Sequence, residues 1–323
     1  MIRFVMDACL LQLRPKDFIE THEGLIFAVV SSEPESGRIP AYLRYRRTDQ
    51  GLLKIPTAQA ASFLAGEGRH FFYDSESRAI RMQGVPVDDV QKVFSSRKRA
   101  SEILNEKSLD RVVVAAQKLI RYLVIHLDYP EQLGVTGSLL IGAQNAKSDI
   151  DLVVFDRWAF GRLRDAILEG IGSGALEDLK PEDWREAHER RGCALSFEDY
   201  LDHERRKGNK ALVDGIKFDL TLSDADQNPP EPAVAKESSL EIVLKVTDAE
   251  EAYGFPARYR TEHPEIIEIL AFSQTYAGQA LAGETVRVRG RTERLVNGRR
   301  RIVVGMDREA RDEFIKLEPK ATP

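Results

Sequence analysis

Gly137, Ser138, Asp149, Asp151 and Asp219 have the residue types and spacing that transfer of a phosphoryl-type group requires. In Asp149-Ile150-Asp151-Leu152 acidic and apolar residues alternate. A strand turns residues i and i+2 to one face, so the two carboxylates project together while Ile150 and Leu152 enter a core. The same alternation in residues 216–222 buries Phe218 and Leu220 and sends Asp219 outward with Lys217 and Thr221. If the two strands are neighbours, three carboxylates converge. Such a cluster repels itself unless hard cations neutralise it, and Mg²⁺ or Mn²⁺ takes the oxygen ligands on offer. Two such ions can activate an attacking hydroxyl and stabilise a departing pyrophosphate. Gly137 lets the backbone approach a triphosphate closely, and neighbouring N–H groups with the Ser138 hydroxyl can hold its oxygens.

The ordered run Gly134-Val135-Thr136-Gly137-Ser138, then Asp149-Ile150-Asp151, then Phe218-Asp219-Leu220, resembles the signature of the DNA polymerase β-like nucleotidyltransferase superfamily. The resemblance spans roughly residues 108–224. It implies an α/β core with a mixed sheet, Asp149 and Asp151 as metal-holding carboxylates, and Asp219 as the third acid, serving as a metal ligand or as base for the attacking hydroxyl. Thr136 departs from the pattern, since that position is usually apolar. The whole chain is also similar to an uncharacterised prokaryotic family of predicted nucleotidyltransferases with β-rich flanks. That match rests on residues 134–151 and on Glu204-Arg205-Arg206-Lys207-Gly208-Asn209-Lys210 ahead of Asp219, and it carries no substrate.

The surrounding elements must position these groups. Residues 25–30 and 41–46 have strand composition, and His70-Phe71-Phe72-Tyr73 with Ala79-Ile80-Arg81-Met82 flank a hairpin turn at Asp74-Ser75-Glu76-Ser77. Ser95-Ser96-Arg97-Lys98-Arg99 marks a boundary. Ser108 is placed to cap a helix whose apolar face is Val112, Val113, Ala116, Leu119, Ile120, Leu123 and Val124, ended by Pro130. A short strand at residues 133–136 precedes the acidic strand at residues 149–155. Helices follow over residues 162–169, stopping near Gly170, from Pro181 to Gly192, and from Ser196 to Gly208. Asn228-Pro229-Pro230-Glu231-Pro232 reads as a linker. Beyond it, residues 241–246, 286–290 and 301–304 are strands, the last two joined across the hairpin signal Asn297-Gly298.

Composition bounds the rest. In 323 residues, 42% hydrophobic and 31% charged, no apolar run spans a bilayer. The acid-bearing stretch Met1–Asp7 does not read as a signal peptide, so a cytoplasmic protein is expected. Cys9 and Cys193 are too few for a disulfide framework, Cys193 reads as a core residue, and six scattered histidines suggest no zinc site. The net charge of −5 hides a basic element, with Arg287, Arg289, Arg291, Arg294, Arg299, Arg300 and Arg301 set against Glu284 and Glu293.

The expected fold is therefore α+β. It has a β-rich module over residues 1–95, a nucleotidyltransferase domain over residues 96–227, and an arginine-rich β module over residues 233–323, similar to an OB-fold barrel. The expected activity is metal-dependent transfer of an NMP or dNMP from NTP or dNTP to a hydroxyl, with a DNA or RNA 3′ end favoured. Alternatives are a small molecule or protein side chain as acceptor, or a nucleic-acid-binding protein that keeps the fold without turnover. Lys217, Arg205, Arg206 and Lys210 are candidate nucleotide contacts. For Lys217 a charge-balancing role competes, and for the helix-end cations, with His203 and Lys207, complementing the helix dipole does. Arg287, Arg289, Arg291, Arg299, Arg300 and Arg301 are candidate nucleic-acid contacts, against a charge-protected edge strand. Arg44, Arg46 and Arg47 pose the same question in the N-terminal module.

Overall fold

The computed structural model describes residues 13–67, 69–75, 80–223, 230–305 and 312–319. Met1–Asp7, Cys9, the hairpin-turn residues 76–79 and the start of the proline linker lie outside them. The described residues form two compact units, 13–155 with 218–223, and 156–217 with 230–319. The chain is α+β.

The first unit opens with seven antiparallel strands: β1 (Phe18–Thr21), β2 (Leu25–Val29), β3 (Arg38–Thr48), β4 (Gly51–Lys54), β5 (Phe72–Ser75), β6 (Ile80–Pro86) and β7 (Val90–Phe94). Their order is β5-β6-β3-β2-β1-β7, with β4 on β3. Helix α1 (Thr57–Glu67) interrupts them, and Phe27, Ile39, Leu43, Leu64 and Phe71 fill one core between helix and sheet. The β5–β6 hairpin carries Phe72 opposite Gln83 and Ser75 opposite Ile80, so the strand runs on through Asp74 and Ser75.

Two helices follow, α2 (Ser96–Asn105) and α3 (Arg111–Val124). The cap of α3 is Asp110, whose carboxylate accepts from the Val112 and Val113 amides at 2.8 and 3.2 Å, whereas Ser108 only orients Asp110. A carboxylate at this position gains from the helix dipole, which a hydroxyl does not. The helix ends at Val124, and Pro130 instead opens a single 3₁₀ turn. Its expected apolar residues are buried save Val124.

Strand β8 (Leu133–Thr136), the short helix α4 (Gly137–Leu140) and strand β9 (Ile150–Val154) complete this stretch. β8 and β9 are antiparallel, with Thr136 opposite Asp151. A Cβ on Gly134 would lie 3.0 Å from Val153 and Phe155 and 3.1 Å from the Ser96 backbone, so its absence lets α2 rest on β8.

In the second unit, α5 (Arg157–Ser173) runs a turn or more beyond the expected ends on both sides. Asp156 caps it and left-handed Gly174, not Gly170, closes it. Buried Ala166, Ile167 and Gly170 continue its apolar face, which outweighs the local cost of the glycine. Helices α6 (Pro181–Arg191) and α7 (Phe197–Lys207) end at left-handed Gly192 and Gly208, and Ser196 accepts from the Asp199 amide at 3.1 Å. Strand β10 (Lys210–Val213) follows, and β11 (Ile216–Leu222) then returns the chain to the first unit. There β11 lies parallel to β9, which makes β8-β9-β11 a mixed sheet.

Strands β12 (Ala233–Asp248), β13 (Ala257–Thr261), β14 (Ile266–Ala271), β15 (Thr285–Leu295), β16 (Arg300–Val304) and β17 (Phe314–Leu317) finish the second unit. The pairings β12-β13-β14-β16-β15 return from β15 to β12, closing a five-stranded ring with β17 on β15. The Asn297-Gly298 turn joins β15 to β16 with Leu295 donating to Arg299 at 2.8 Å. Val246, Tyr259, Ile269, Val286, Ile302 and Ile315 share one core with Trp184 and Tyr200 of the helices, and Cys193 packs on its margin.

These units cut across the three-part division expected from composition. Asp17, ahead of β1, accepts hydrogen bonds from the Ser96 amide at 2.8 Å and the Ser96 hydroxyl at 2.6 Å. The Thr136 hydroxyl donates to the Lys16 carbonyl at 2.7 Å. The charged run at residues 95–99 therefore begins a helix sewn to the N-terminal sheet and marks no boundary.

Two buried ion arrangements make the units testable. Burial raises the Asp17 carboxyl above its ordinary range, and the Ser96 bonds offset part of that. Asp17→Ala strands buried donors, so urea unfolding of the first unit should show a loss of about 2–3 kcal/mol. In the second unit, Glu204 is buried between Lys207 and Lys210. Burial alone would raise its carboxyl, but the two ammoniums hold it down at about 2. Stability from this group is complete above the unfolded carboxyl range and is lost as pH falls toward about 2. Glu204→Gln should cost about 3–5 kcal/mol at neutral pH by leaving Lys207 unpaired. It should also flatten the acid limb of a denaturation-versus-pH curve.

Candidate functional site

Asp151 is the middle member of the candidate site. Its backbone lies between Thr136 on β8 and Asp219 on β11. Ile150 and Leu152 are fully buried, while Asp151 is half-buried and Asp149, just ahead of the strand, is exposed. On β11 burial alternates without exception, so Phe218 and Leu220 point inward and Asp219 shares the other face with Thr221. The Thr221 hydroxyl donates to the Leu152 carbonyl at 3.1 Å, pinning the two strands in register.

The Gly137 turn meets the same carboxylate. Gly137 has φ +65°, and a Cβ there would fall 2.0 Å from Asp151 Oδ2. Both conformation and space therefore exclude a side chain. Ser138 follows, half-buried, and its carbonyl accepts from the Ala143 amide at 2.9 Å to close the turn. The next segment is shaped by Asn145, which accepts from the Lys147 amide at 2.9 Å, and it delivers Asp149 to the start of β9.

Burial pushes the Asp151 carboxyl up to about 7, and the charges of Asp149 and Asp219 add to the rise. Lys16 and Arg44 oppose it. Both other expected acids therefore act on Asp151, joined by two cations that the motif did not contain. Lys16 stands in the left-handed region at φ 78°, its amide donating to Val29 at 3.0 Å and its carbonyl accepting from Thr136. Arg44, on β3, donates to the Thr57 hydroxyl at 3.2 Å. Its neighbour Tyr45 is buried beside Leu140 of α4. Burial raises the Tyr45 hydroxyl, with Asp151 and Asp149 contributing and Arg44 opposing. The sequence carried one hint of these partners: the polar Thr136 in an otherwise apolar position, which turns out to hold Lys16.

Among the described residues no three His, Cys, Asp or Glu side chains form a ready-made metal-ligand group. The three aspartates offer only oxygen, and their mutual repulsion is of the kind a divalent cation relieves. A divalent cation held by them would take its remaining oxygen ligands from elsewhere.

The other candidate contacts have partners of their own. Lys217 pairs with Asp183 at 2.7 Å and Glu186 at 3.1 Å. Arg206 grips Glu284 with two contacts of 2.8 Å, and Arg205 lies 4.0 Å from Asp178. Lys210 is bound to Glu204. Lys207 is buried and donates to the Thr275 carbonyl at 2.8 Å. Beside it, burial first and the Lys207 charge second lower the His203 imidazole to about 4.

On the barrel, Arg287 pairs with Glu318 at 2.6 Å, Arg291 with Glu313 at 3.6 Å, and Arg300 with Glu265. Arg294 pairs with Glu237. Arg301 is buried, 2.7 Å from Glu293, and so is corrected from an expected nucleic-acid contact to a core ion pair. Among the described residues, Arg289 and Arg299 remain exposed without an ion pair. In the first unit, Arg47 is held by Glu20 at 2.9 Å and Arg46 lies over Phe63.

Fold and site together define an α+β protein whose mixed sheet presents three acids, two of them acting on Asp151, against a glycine–serine turn. The chain is 30% identical over 341 residues to the uncharacterized protein MJ1086 of Methanocaldococcus jannaschii, covering 95% of this chain and 100% of that one. It belongs to the same family. No family model matches the chain, and no solved structure does. No helix among the described residues is long and apolar enough to cross a membrane.

The crowding at Asp151 has a measurable consequence. An acid with a raised folded pKa holds its proton where the unfolded chain has released it, so stability falls as pH rises from the ordinary aspartate range to about 7. In ¹³C NMR titrations, Asp149→Asn and Asp219→Asn should each bring the Asp151 midpoint down toward that range. Added Mg²⁺ should raise the melting temperature more at pH 8 than at pH 5, because it binds the ionised cluster.

Proposed function

We propose that the chain is a metal-dependent nucleotidyltransferase of the DNA polymerase β type. It moves an NMP or dNMP from a nucleoside triphosphate to a hydroxyl, with a DNA or RNA 3′ end as the favoured acceptor. The observation that carries this reading is Asp151 crowded by Asp149, just ahead of its strand, and by Asp219 on the neighbouring strand, with Gly137 closed against it. Such a set serves no packing purpose. It costs electrostatic energy that Lys16 and Arg44 offset in part and that a bound cation would offset further.

Mg²⁺ or Mn²⁺, as a pair of ions when bound, supplies charge stabilisation for attacking and leaving oxygens. Asp149 and Asp151 would hold these ions. Asp219, at the register position of Asp151, completes the set or accepts the proton of the attacking hydroxyl. The acceptor oxygen forms a bond to the α-phosphorus as the bond to the pyrophosphate oxygen breaks. The Ser138 hydroxyl and the amides of its turn hold the triphosphate, and Lys16 and Arg44 add positive charge beside them. Lys217, Arg205, Arg206 and Lys210 are not needed in this scheme.

A second reading keeps the chemistry and changes the acceptor to a small molecule or a protein side chain. It is favoured by the pairing of the barrel arginines with glutamates, which removes much of one expected nucleic-acid surface.

The test is a transfer assay with labelled NTPs and dNTPs, Mg²⁺ or Mn²⁺, and DNA and RNA primers. Label should appear on a primer, with pyrophosphate released. Asp149→Ala should reduce it by about 10²–10³-fold, the scale of losing one preorganised electrostatic contact. Gly137→Ala, which forces Asp151 aside, should fall in the same range. Label on the protein itself would favour the second reading. No transfer to any acceptor would sink the enzyme.

A further inference from the structure

In the first unit a groove runs along Arg14, Lys92, Arg97, Lys98 and Arg99, which come from the segment before β1, from β7 and from the start of α2. Its acids are committed. Asp17 accepts from the Arg14 amide at 3.0 Å and from Ser96, and Glu102 stands 3.7 Å from Arg99. Arg99 is tied further to Glu106 at 3.0 Å. Among the described residues, Arg14, Lys92, Arg97 and Lys98 form no ion pair. This is the reverse of the barrel, where most arginines are matched to a glutamate.

Within the groove, two guanidiniums share one aromatic ring. Arg97 lies 4.6 Å and Arg14 5.7 Å from the centre of Phe155. The Arg97 Nε is buried and has no hydrogen-bond partner. Burial, and then the Arg14 charge, lower the Arg97 guanidinium from its ordinary value. Like charges held together with a donor unused are stabilised by an anion between them. The cations are also strung over three elements, which suits a chain of phosphates better than one. Leu140 of α4 lines the groove, and the Arg99 Nε donates to the Leu139 carbonyl at 2.9 Å. The groove therefore reaches the Gly137–Leu140 turn of the candidate site.

We propose that this groove binds the phosphodiester backbone of a nucleic-acid strand and leads its 3′ end toward the Gly137 turn. The placing of the 3′ end rests on the transfer reading; the backbone contact does not.

The experiment is fluorescence anisotropy on the full chain with labelled RNA and DNA oligonucleotides of about 20 nucleotides, over a range of KCl concentrations. Wild type should bind. Arg97→Ala and Lys98→Glu should each weaken binding by about 5- to 10-fold and lower the salt slope by about 0.7 per lost contact. Lys98 is exposed, so Lys98→Glu keeps the test decisive if Arg97→Ala disturbs the Phe155 packing. Lys236→Glu, an equal charge change at an exposed barrel position, should leave binding unaltered. Absence of binding in wild type overturns the proposal, as does equal loss in Lys98→Glu and Lys236→Glu. Displacement by polyglutamate or inorganic triphosphate at matched charge also overturns it, since the groove would then take any acid or a free phosphate. If wild type shows no transfer but its binding remains sensitive to Lys98→Glu, the enzyme reading falls and the groove is supported. Transfer with binding insensitive to Lys98→Glu keeps the enzyme and overturns the groove.

Discussion

Negative charge concentrated at Asp151 is the constraint around which the first unit is arranged. Backbone pairing sets Asp219 beside it, and the chain entering β9 sets Asp149 nearby. Repulsion of this kind has to be met locally. Part of the answer comes from outside the small mixed sheet, in Lys16 ahead of β1 and Arg44 on β3. The Thr136 hydroxyl ties that supply to the Gly137 turn through one hydrogen bond of 2.7 Å. The antiparallel sheet is thus part of the electrostatics of the site and no mere appendage.

How much of this the sequence disclosed follows from the range of each interaction. Alternation along β9 and β11 is local, so the burial of Ile150, Leu152, Phe218 and Leu220, and the outward aspartates, were legible. So were the caps at Ser196, Gly192 and Gly208 and the Asn297-Gly298 hairpin. Lys16 and Arg44 were not, because their relation to Asp151 spans more than a hundred residues and has no periodic trace. The two compact units also follow a division that composition did not suggest. A charged run such as Ser95–Arg99 reads as a boundary, and nothing local shows that Asp17 will bond to Ser96. The extra length of α5 was hidden for a different reason: Gly170 signals an end, and packing overrides it.

The arginines show that charge counts mislead when partners are remote in sequence. Arg287, Arg291, Arg294 and Arg300 crowd a short segment, yet their glutamates come from residues 237–265 and 313–318. Strand pairing around the barrel brings them together, and most of the local excess disappears. Arg301 goes furthest, becoming a buried element of the barrel wall. Much less conspicuous cations, Arg14 and Lys92 with the α2 residues Arg97 and Lys98, form no ion pair among the described residues.

The path of the chain has a consequence for how the protein is made. β9 and β11 are neighbours in one sheet, but residues 156–217 intervene and belong to the other unit. During synthesis β9 emerges with one edge bare, and that edge is filled only after three helices and β10 have followed. Until then the edge is a pairing template for any extended segment nearby. The order of emergence therefore favours early folding of the intervening helices, since their compaction shortens the loop that β11 must close. Assembly of the three-aspartate face is thereby tied to prior folding of a segment that contributes none of its acids.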